Sequence, residues 1–300
     1  MAIEVSRSKL KYYWSVYLLV AIPLLLVIVF SYYPIVNGFI HIFYDWNGDT
    51  VEEFCGLNNI YKVAHDNDLW RSFGVVAIFI VSNLFKMIIP IVTAVILHHI
   101  INERANYIYR VMFVIPMVVP MMVFFLMWKY FYEPNAGVLN EILRSCGILQ
   151  STEIVQWLSN SMLVIPSLVF AGFPWVGAFG VLIYLAGLQN IPEDIYEAAE
   201  IDGAGAMRIF WKMELPLIIT QVRINLILMI IGTIQQWQNI YLFVGESGGP
   251  GGIASVPGLI IFREAFSRGE FGYGCAIGFL LFLVTLCLTF VNNKFVRIKK

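Results

Sequence analysis

Four amides surround a tryptophan in the run TIQQWQNIY, Thr233 to Tyr241, where Gln235, Gln236, Gln238 and Asn239 flank Trp237. Amides offer paired donors and acceptors that suit sugar-like hydroxyls, and an indole face suits the apolar face of a pyranose ring. Two further groups break apolar runs: Trp175 beside Pro174 in FAGFPWVGAFG, and the single cation Lys86. Acids gather elsewhere, in EAAEIDGAGAMRIFWKMELP, where Glu197, Glu200, Asp202 and Glu214 stand between two long apolar stretches.

Other chemistries find no constellation. His98 and His99 are adjacent beside Glu103, not at the i, i+4 spacing of a helical metal site. Cys55, Cys146, Cys275 and Cys287 show no CxxC spacing, so neither a zinc site nor a disulfide framework is expected. The glycines of SGGPGG, Ser247 to Gly252, lack the strand-to-helix context and the following Lys-Ser or Lys-Thr of a phosphate cradle. No Ser-His-Asp set and no paired carboxylates can be placed. The chain is therefore expected to carry no catalytic residues, no metal and no cofactor of its own. A net charge of −1 points to no partner class, and no nucleic acid is expected.

The elements that must position these groups follow from composition. The chain is 59% hydrophobic and only 13% charged, too little charge to cover a soluble domain of 300 residues. A bilayer core about 30 Å thick needs about 20 mostly apolar residues per helix. Six runs qualify, near residues 16–35, 72–97, 111–128, 162–186, 224–244 and 274–291, giving an all-α integral membrane protein in one domain, 1–300. The first run has no small-x-small cleavage site after it and reads as a span rather than a signal peptide.

Lys and Arg set the orientation. One side holds Arg7, Lys9, Lys11, Arg104, Arg110, Arg208, Lys212, Arg223, Lys294, Arg297, Lys299 and Lys300; the other holds Lys62, Arg71, Lys129, Arg144, Arg263 and Arg268. Both termini are thus expected in the cytoplasm. The loop with Asp45, Asp49, Glu52, Glu53, Asp66 and Asp68 then faces outside, and the acidic stretch, within a loop of about 188–216, faces inside. Lys86 lies about 16 Å from the inner end of its span, too deep to snorkel, and none of the six spans contains an Asp or Glu. Its partner is another chain, backbone or Gln oxygens, or an aqueous path. Functional and structural roles stay open for it. The amides of span five likewise read either as path lining, with Gln235 and Gln236 preferred, or as hydrogen-bonding glue between helices. Trp175 reads as cargo-facing or as packing.

The acidic stretch resolves into two short helices. Pro192 suits a first turn with Glu193 and Asp194 beside it, and the DGAG run ends that helix near Ile201. The second runs from about Ala206 to Leu215, with Pro216 turning into the next span. Glu193, Glu197 and Glu200 share one face, and Ile195, Ala198, Ala199 and Asp202 mark another where small side chains admit a partner backbone. Membrane-surface helices are usually basic on the polar face. An acidic face suits a basic protein partner better.

The run EAA followed by DGAG and then LP at Leu215 to Pro216 resembles the EAA loop of permease subunits from bacterial binding-protein-dependent ABC importers. LAGLQNIPEDIY before it is similar to the sugar-importing branch of the maltose and glycerol-phosphate systems. FCGLNNIYKV, YRVMFVIPMVVP, YEPNAGVLNEIL, SGGPGG and EFGYGCAIGFLLF agree in order along nearly the whole chain. The resemblance implies a multi-pass subunit of the bacterial cell membrane that forms a channel with a second homologous permease. It implies that Glu197, Ala198, Ala199, Asp202 and Gly203 dock on a dimeric cytoplasmic ATPase, which holds ATP and Mg, and that an external or periplasmic solute-binding protein delivers a sugar or oligosaccharide. The expected path residues are Gln235, Gln236, Trp237, Asn239, Trp175 and Lys86; the family assigns no role to a lysine at position 86. Glu200 departs from the pattern, since many relatives have an apolar or small residue there. Alternatives are a non-sugar cargo such as a glycerol-phosphate ester, or a stand-alone secondary transporter, which the lack of a buried coupling acid disfavours.

Overall fold

The apolar runs form helices, and prolines and glycines decide where those helices stop. The computed structural model describes residues 7–50, 52–150 and 152–295 and contains two compact units. One comprises the chain up to Asp66 with Ile261–Leu280; the other comprises Asn67–Ile260 with the chain from Leu281 onward.

In the first unit, α1 (Arg7–Val27), a π-helical turn (Ile28–Tyr32) and α2 (Tyr33–His41) run on from one another. They include Val16–His41, apolar and long enough to cross a membrane. No part of its apolar window is buried in the protein. A small antiparallel hairpin follows, β1 (Tyr44–Trp46) with β2 (Glu52–Phe54), paired Tyr44 to Phe54 and Trp46 to Glu52. This corrects the all-α expectation in one detail. The Asn47 side chain accepts from the Asp49 N–H at 3.0 Å and closes the turn. Behind the hairpin, α3 (Asn58–His65) sends in the buried Asn59 amide, which donates to the Ile42 and Tyr44 carbonyls at 3.0 and 2.9 Å. In the returning segment, buried Glu264 is held by Arg268 at 2.8 Å and Arg263 at 3.3 Å.

The second unit begins with α4 (Asn67–Lys86) and α5 (Ile88–His98), interrupted at Met87 but together long and apolar enough to cross a membrane. Asn102 caps α6 (Glu103–Val114), its side chain accepting from the N–H groups of Arg104 and Ala105. After a 3-10 turn at Ile115–Val118 comes α7 (Met121–Phe131), and the chain bends by 89° between them. α8 (Val138–Ser145) is short and amphipathic. The fourth predicted span is two helices, α9 (Val164–Phe170) and α10 (Ala178–Leu188). α11 (Glu193–Ile201), α12 (Ala206–Ile209), a π-helical turn (Phe210–Glu214) and α13 (Leu215–Leu217) make the acidic stretch. A 68° bend leads into α14 (Ile219–Gln235), and a break at residues 236–237 separates it from α15 (Gln238–Val244). α16 (Pro257–Phe262) and α17 (Phe271–Phe295) complete the described chain.

Among the described residues three helices are long and apolar enough to cross a membrane, or up to five if each bent pair counts as one span. The third and fifth spans, expected as continuous helices, are thus corrected to broken ones, and the fourth is fully interrupted at the Pro174 segment rather than only kinked there. Proline causes two of the breaks, because Pro120 and Pro174 supply no backbone donor and push the preceding residue out of the helical region. The breaks rest on packed cores. Val75, Val76, Phe79, Trp128, Tyr132, Leu168, Ile234, Ile240 and Phe243 form one cluster, and Ala94, Leu97, Val181, Tyr184, Leu185 and Ile218 another. α5 and α10 approach closely enough that a methyl group on Gly180 would lie 3.3 Å from Pro90.

Candidate functional site

The first group assembles at the α9–α10 break. Residues 171–177 leave the helix, Trp175 adopts φ 56°, and its N–H donates to the Gly172 carbonyl at 2.8 Å. A side-chain-bearing residue rarely sits in that region, and where it does the surroundings must hold it there. Phe170 and Phe173 stack with centroids 5.2 Å apart, and each meets the Trp175 ring edge-on, at 6.0 and 5.1 Å. The Lys86 ammonium lies over the Trp175 ring, 5.4 Å from its centroid. A lysine at the centre of a membrane helix costs roughly 2.5–3.5 kcal/mol. The ring face returns about 0.5–2 kcal/mol of that. Trp175 Nε1 is buried with no acceptor in reach. Lys86 and Trp175, singled out independently in the sequence, are therefore neighbours.

The amide group lies at the second break rather than along a continuous helix. Gln236 closes α14 with extended backbone (φ −70°, ψ 117°), and Trp237 precedes α15 at φ −141°. Gln235 is exposed, while Gln236, Trp237 and Asn239 are half-buried. The Trp237 side chain occupies the space left by Gly258, where an added Cβ would meet it at 3.1 Å. Just before the break Asn83 Nδ2 donates to Thr233 Oγ1 at 2.9 Å, which ties α4 to α14 one helical turn ahead of Lys86. Freed backbone groups within a bilayer each cost several kcal/mol unless they face protein or water. Both breaks therefore belong on protein or on a wet path.

The acidic stretch presents a helix end. The Gly203 N–H donates to Glu200 O at 3.0 Å and the Ala204 N–H to Ala199 O at 2.9 Å, a closure that requires the left-handed backbone found at Gly203, φ 66°. Glu197, Ala198, Asp202 and Gly203 are exposed; Ala199 is 6% exposed and packs inward. Exposed apolar side chains flank the acids, with Ile201 at 86% and Met207 at 72%. Such large exposed apolar groups beside charge are what a protein interface offers. Glu193 and Glu200 line a cavity of about 970 Å³ with His98, His99, Tyr196 and Ile209.

A clasp that the sequence did not announce holds this helix to the core. Glu214 is 1% exposed, and its Oε1 meets His99 Nε2 at 2.8 Å and accepts from the Tyr196 hydroxyl at 3.1 Å. Burial, then the Glu214 charge and hydrogen bond, push the Tyr196 phenol up, so it keeps its proton and donates. The rings of His98, His99 and Tyr196 cluster with centroids 5.3–6.0 Å apart. Through one carboxylate, α11 and the π-helical turn are joined to the end of α5. Among the described residues no group of three or more His, Cys, Asp or Glu side chains is arranged to hold a metal ion.

A family model described as binding-protein-dependent transport system inner membrane component matches residues 91–298. The trehalose/maltose transport system permease protein MalF of Thermococcus litoralis is 32% identical over 297 residues, covering 98% of this chain and 98% of that protein. The crystal structure of a bacterial ABC transporter involved in the import of the acidic polysaccharide alginate contains a chain that superposes with a TM-score of 0.83 at 19% identity, over 98% of this chain and 99% of that one. A second structure, of the bacterial alginate ABC transporter in complex with alginate pentasaccharide-bound periplasmic protein, gives a TM-score of 0.82 at 17% identity, over 97% and 96%.

Proposed function

This chain belongs to the family of binding-protein-dependent transport system inner membrane components, and on that premise we propose that it forms one half of the membrane channel of an ATP-driven importer for saccharides. A second, homologous permease supplies the other half. A solute-binding protein delivers cargo from outside, and a dimeric ABC ATPase, which carries the ATP and Mg, drives the cycle from the cytoplasm. The chain crosses the cell membrane six times with both termini inside, its third, fourth and fifth crossings broken.

In this reading α11 is the coupling helix. Glu197, Ala198, Asp202 and Gly203 meet the ATPase, with Ile201 and Met207 as apolar anchors, while Ala199 lets the helix lie close on its own subunit. The Glu214 clasp passes its motion to α5 and so to the Lys86 end of α4. Cargo moves past Lys86 and Trp175 and past Gln235, Gln236, Trp237 and Asn239. Discontinuous helices of this kind supply polar backbone and amides to hydroxyls at membrane depth. The trehalose/maltose relative supports a saccharide as cargo.

The observation that carries the proposal is the exposed acidic helix closed at Gly203, within a chain of this family. Co-expression with the companion permease and ATPase tests it: the three chains should purify together and show ATP-dependent uptake. One charge-assisted contact is worth about 1.5–3 kcal/mol, so Glu197→Arg should cut ATPase association roughly tenfold or more. Gly203→Pro, which forbids the positive φ, should uncouple hydrolysis from uptake. Solute movement by this chain alone, without ATP, would sink the reading.

A further inference from the structure

Lys86 and Trp175 together present donors and no acceptor. The ammonium has three N–H groups and, among the described residues, makes no hydrogen bond or ion pair; it lies over the indole ring, 5.4 Å from the centroid. The indole Nε1–H is buried and unpaired. α10 begins three residues after Trp175, and Gly177 provides no side-chain cap to its first N–H groups, so the positive end of an eleven-residue helix adds to the same break. No Asp or Glu lies in any apolar run of the chain to neutralise this set. A neutral saccharide would satisfy the indole N–H but leave the cation uncompensated. A ligand with a negative group and a ring face satisfies all of it, the anion on Lys86 and the apolar ring face against the Phe170, Phe173 and Trp175 rings.

We propose that the α9–α10 break is a binding subsite for an acidic saccharide, with Lys86 as the anion ligand and Trp175 as the platform and second donor. This rests on the permease reading and narrows its cargo class from saccharides in general to those bearing a carboxylate or an equivalent anionic group.

The test uses the assembled complex of this chain, its companion permease and the ATPase in lipid nanodiscs, titrated calorimetrically with trigalacturonate and, in parallel, a neutral galactose trisaccharide. A single charge-assisted contact predicts that the acid binds about tenfold or more tightly than the neutral sugar at low salt, with the preference shrinking as salt rises. Lys86→Gln should bring the ratio of the two affinities close to one, Lys86→Arg should keep it, and Trp175→Phe should weaken both ligands. Three results overturn the inference. The wild type shows no acid preference; the preference survives Lys86→Gln; or Lys86→Gln lowers both affinities equally, as it would if Lys86 only paired with a carboxylate of the companion permease. Each of these leaves the permease reading intact. Failure to assemble with the ATPase would strike that reading instead.

Discussion

Glu214 stands four residues after Phe210 and next to Met213, both half-buried, so the turn that carries those side chains inward also carries its carboxylate inward. Once there it survives through His99 and Tyr196, while its Oε2 has no partner among the described residues. Loss of one hydrogen bond to a buried charge costs about 1.5–3 kcal/mol. The His99 side chain is half exposed, so water replaces part of what is lost, and His99→Ala should reduce stability toward the lower end of that range. Glu214→Leu adds to these apolar side chains and should leave thermal unfolding nearly unchanged, since a buried ion replaced by a packed apolar group is often neutral. Its effect should appear in the number of ATP molecules hydrolysed per solute imported, which rises when the helix is no longer tied to α5. A variant that melts normally and stays fully coupled would refute the clasp as a positioning device. The clue to it was present in the sequence, an acid at an apolar register position, but its partner lay 115 residues away, beyond any local pattern.

At the scale of elements, the breaks matter more than the helices. The length and apolarity of the runs were legible because about 20 apolar residues have few uses other than crossing a bilayer. The break at Pro174 was foreshadowed by its proline and glycines. That at Gln236 was not, because residues 224–244 contain no proline or consecutive glycines, and the interruption depends on Trp237 seating against Gly258 from a distant part of the chain. The burial of Ala199 is hidden from the sequence for a related reason: periodicity defines the two faces of α11, but only the packed core decides which of them is inside. Accessibility gives an element-level prediction. With the four native cysteines replaced, single cysteines at Gln235, Gln236 and Asn239 should react with a membrane-impermeant maleimide in the assembled importer, and cysteines at the buried Ile234 and Ile240 should not. Uniform protection of all five would mean that the break is filled by protein and lines no path.

At the scale of the molecule, the bias of Lys and Arg between alternate loops predicts an orientation that helix geometry alone leaves open. Reporter fusions check it. Alkaline phosphatase placed after Gly48 should be active, and the same reporter after Gly203 or at the chain end should be silent, with a cytoplasmic fluorescent reporter giving the opposite pattern. An active phosphatase at Gly203 would put α11 on the wrong side for any ATPase. The extensive exposed apolar surface, including every residue of the apolar window in Val16–His41, needs lipid or a companion subunit to cover it.

The clasp grips α11 at Tyr196, and the helix ends at the Asp202–Gly203 turn. Six residues of helical rise separate grip and tip, about 9 Å, which makes this segment a short lever with its fulcrum at a buried carboxylate. A tilt of about ten degrees about that fulcrum moves the tip by roughly 1.5 Å, comparable to the helix shifts that switch packed interfaces between alternative arrangements. The gearing depends on where the grip lies. Moving the phenol one turn toward Asp202 would shorten the arm by about 5 Å, so in the proposed coupling role the same displacement of the tip would turn the membrane helices through a larger angle.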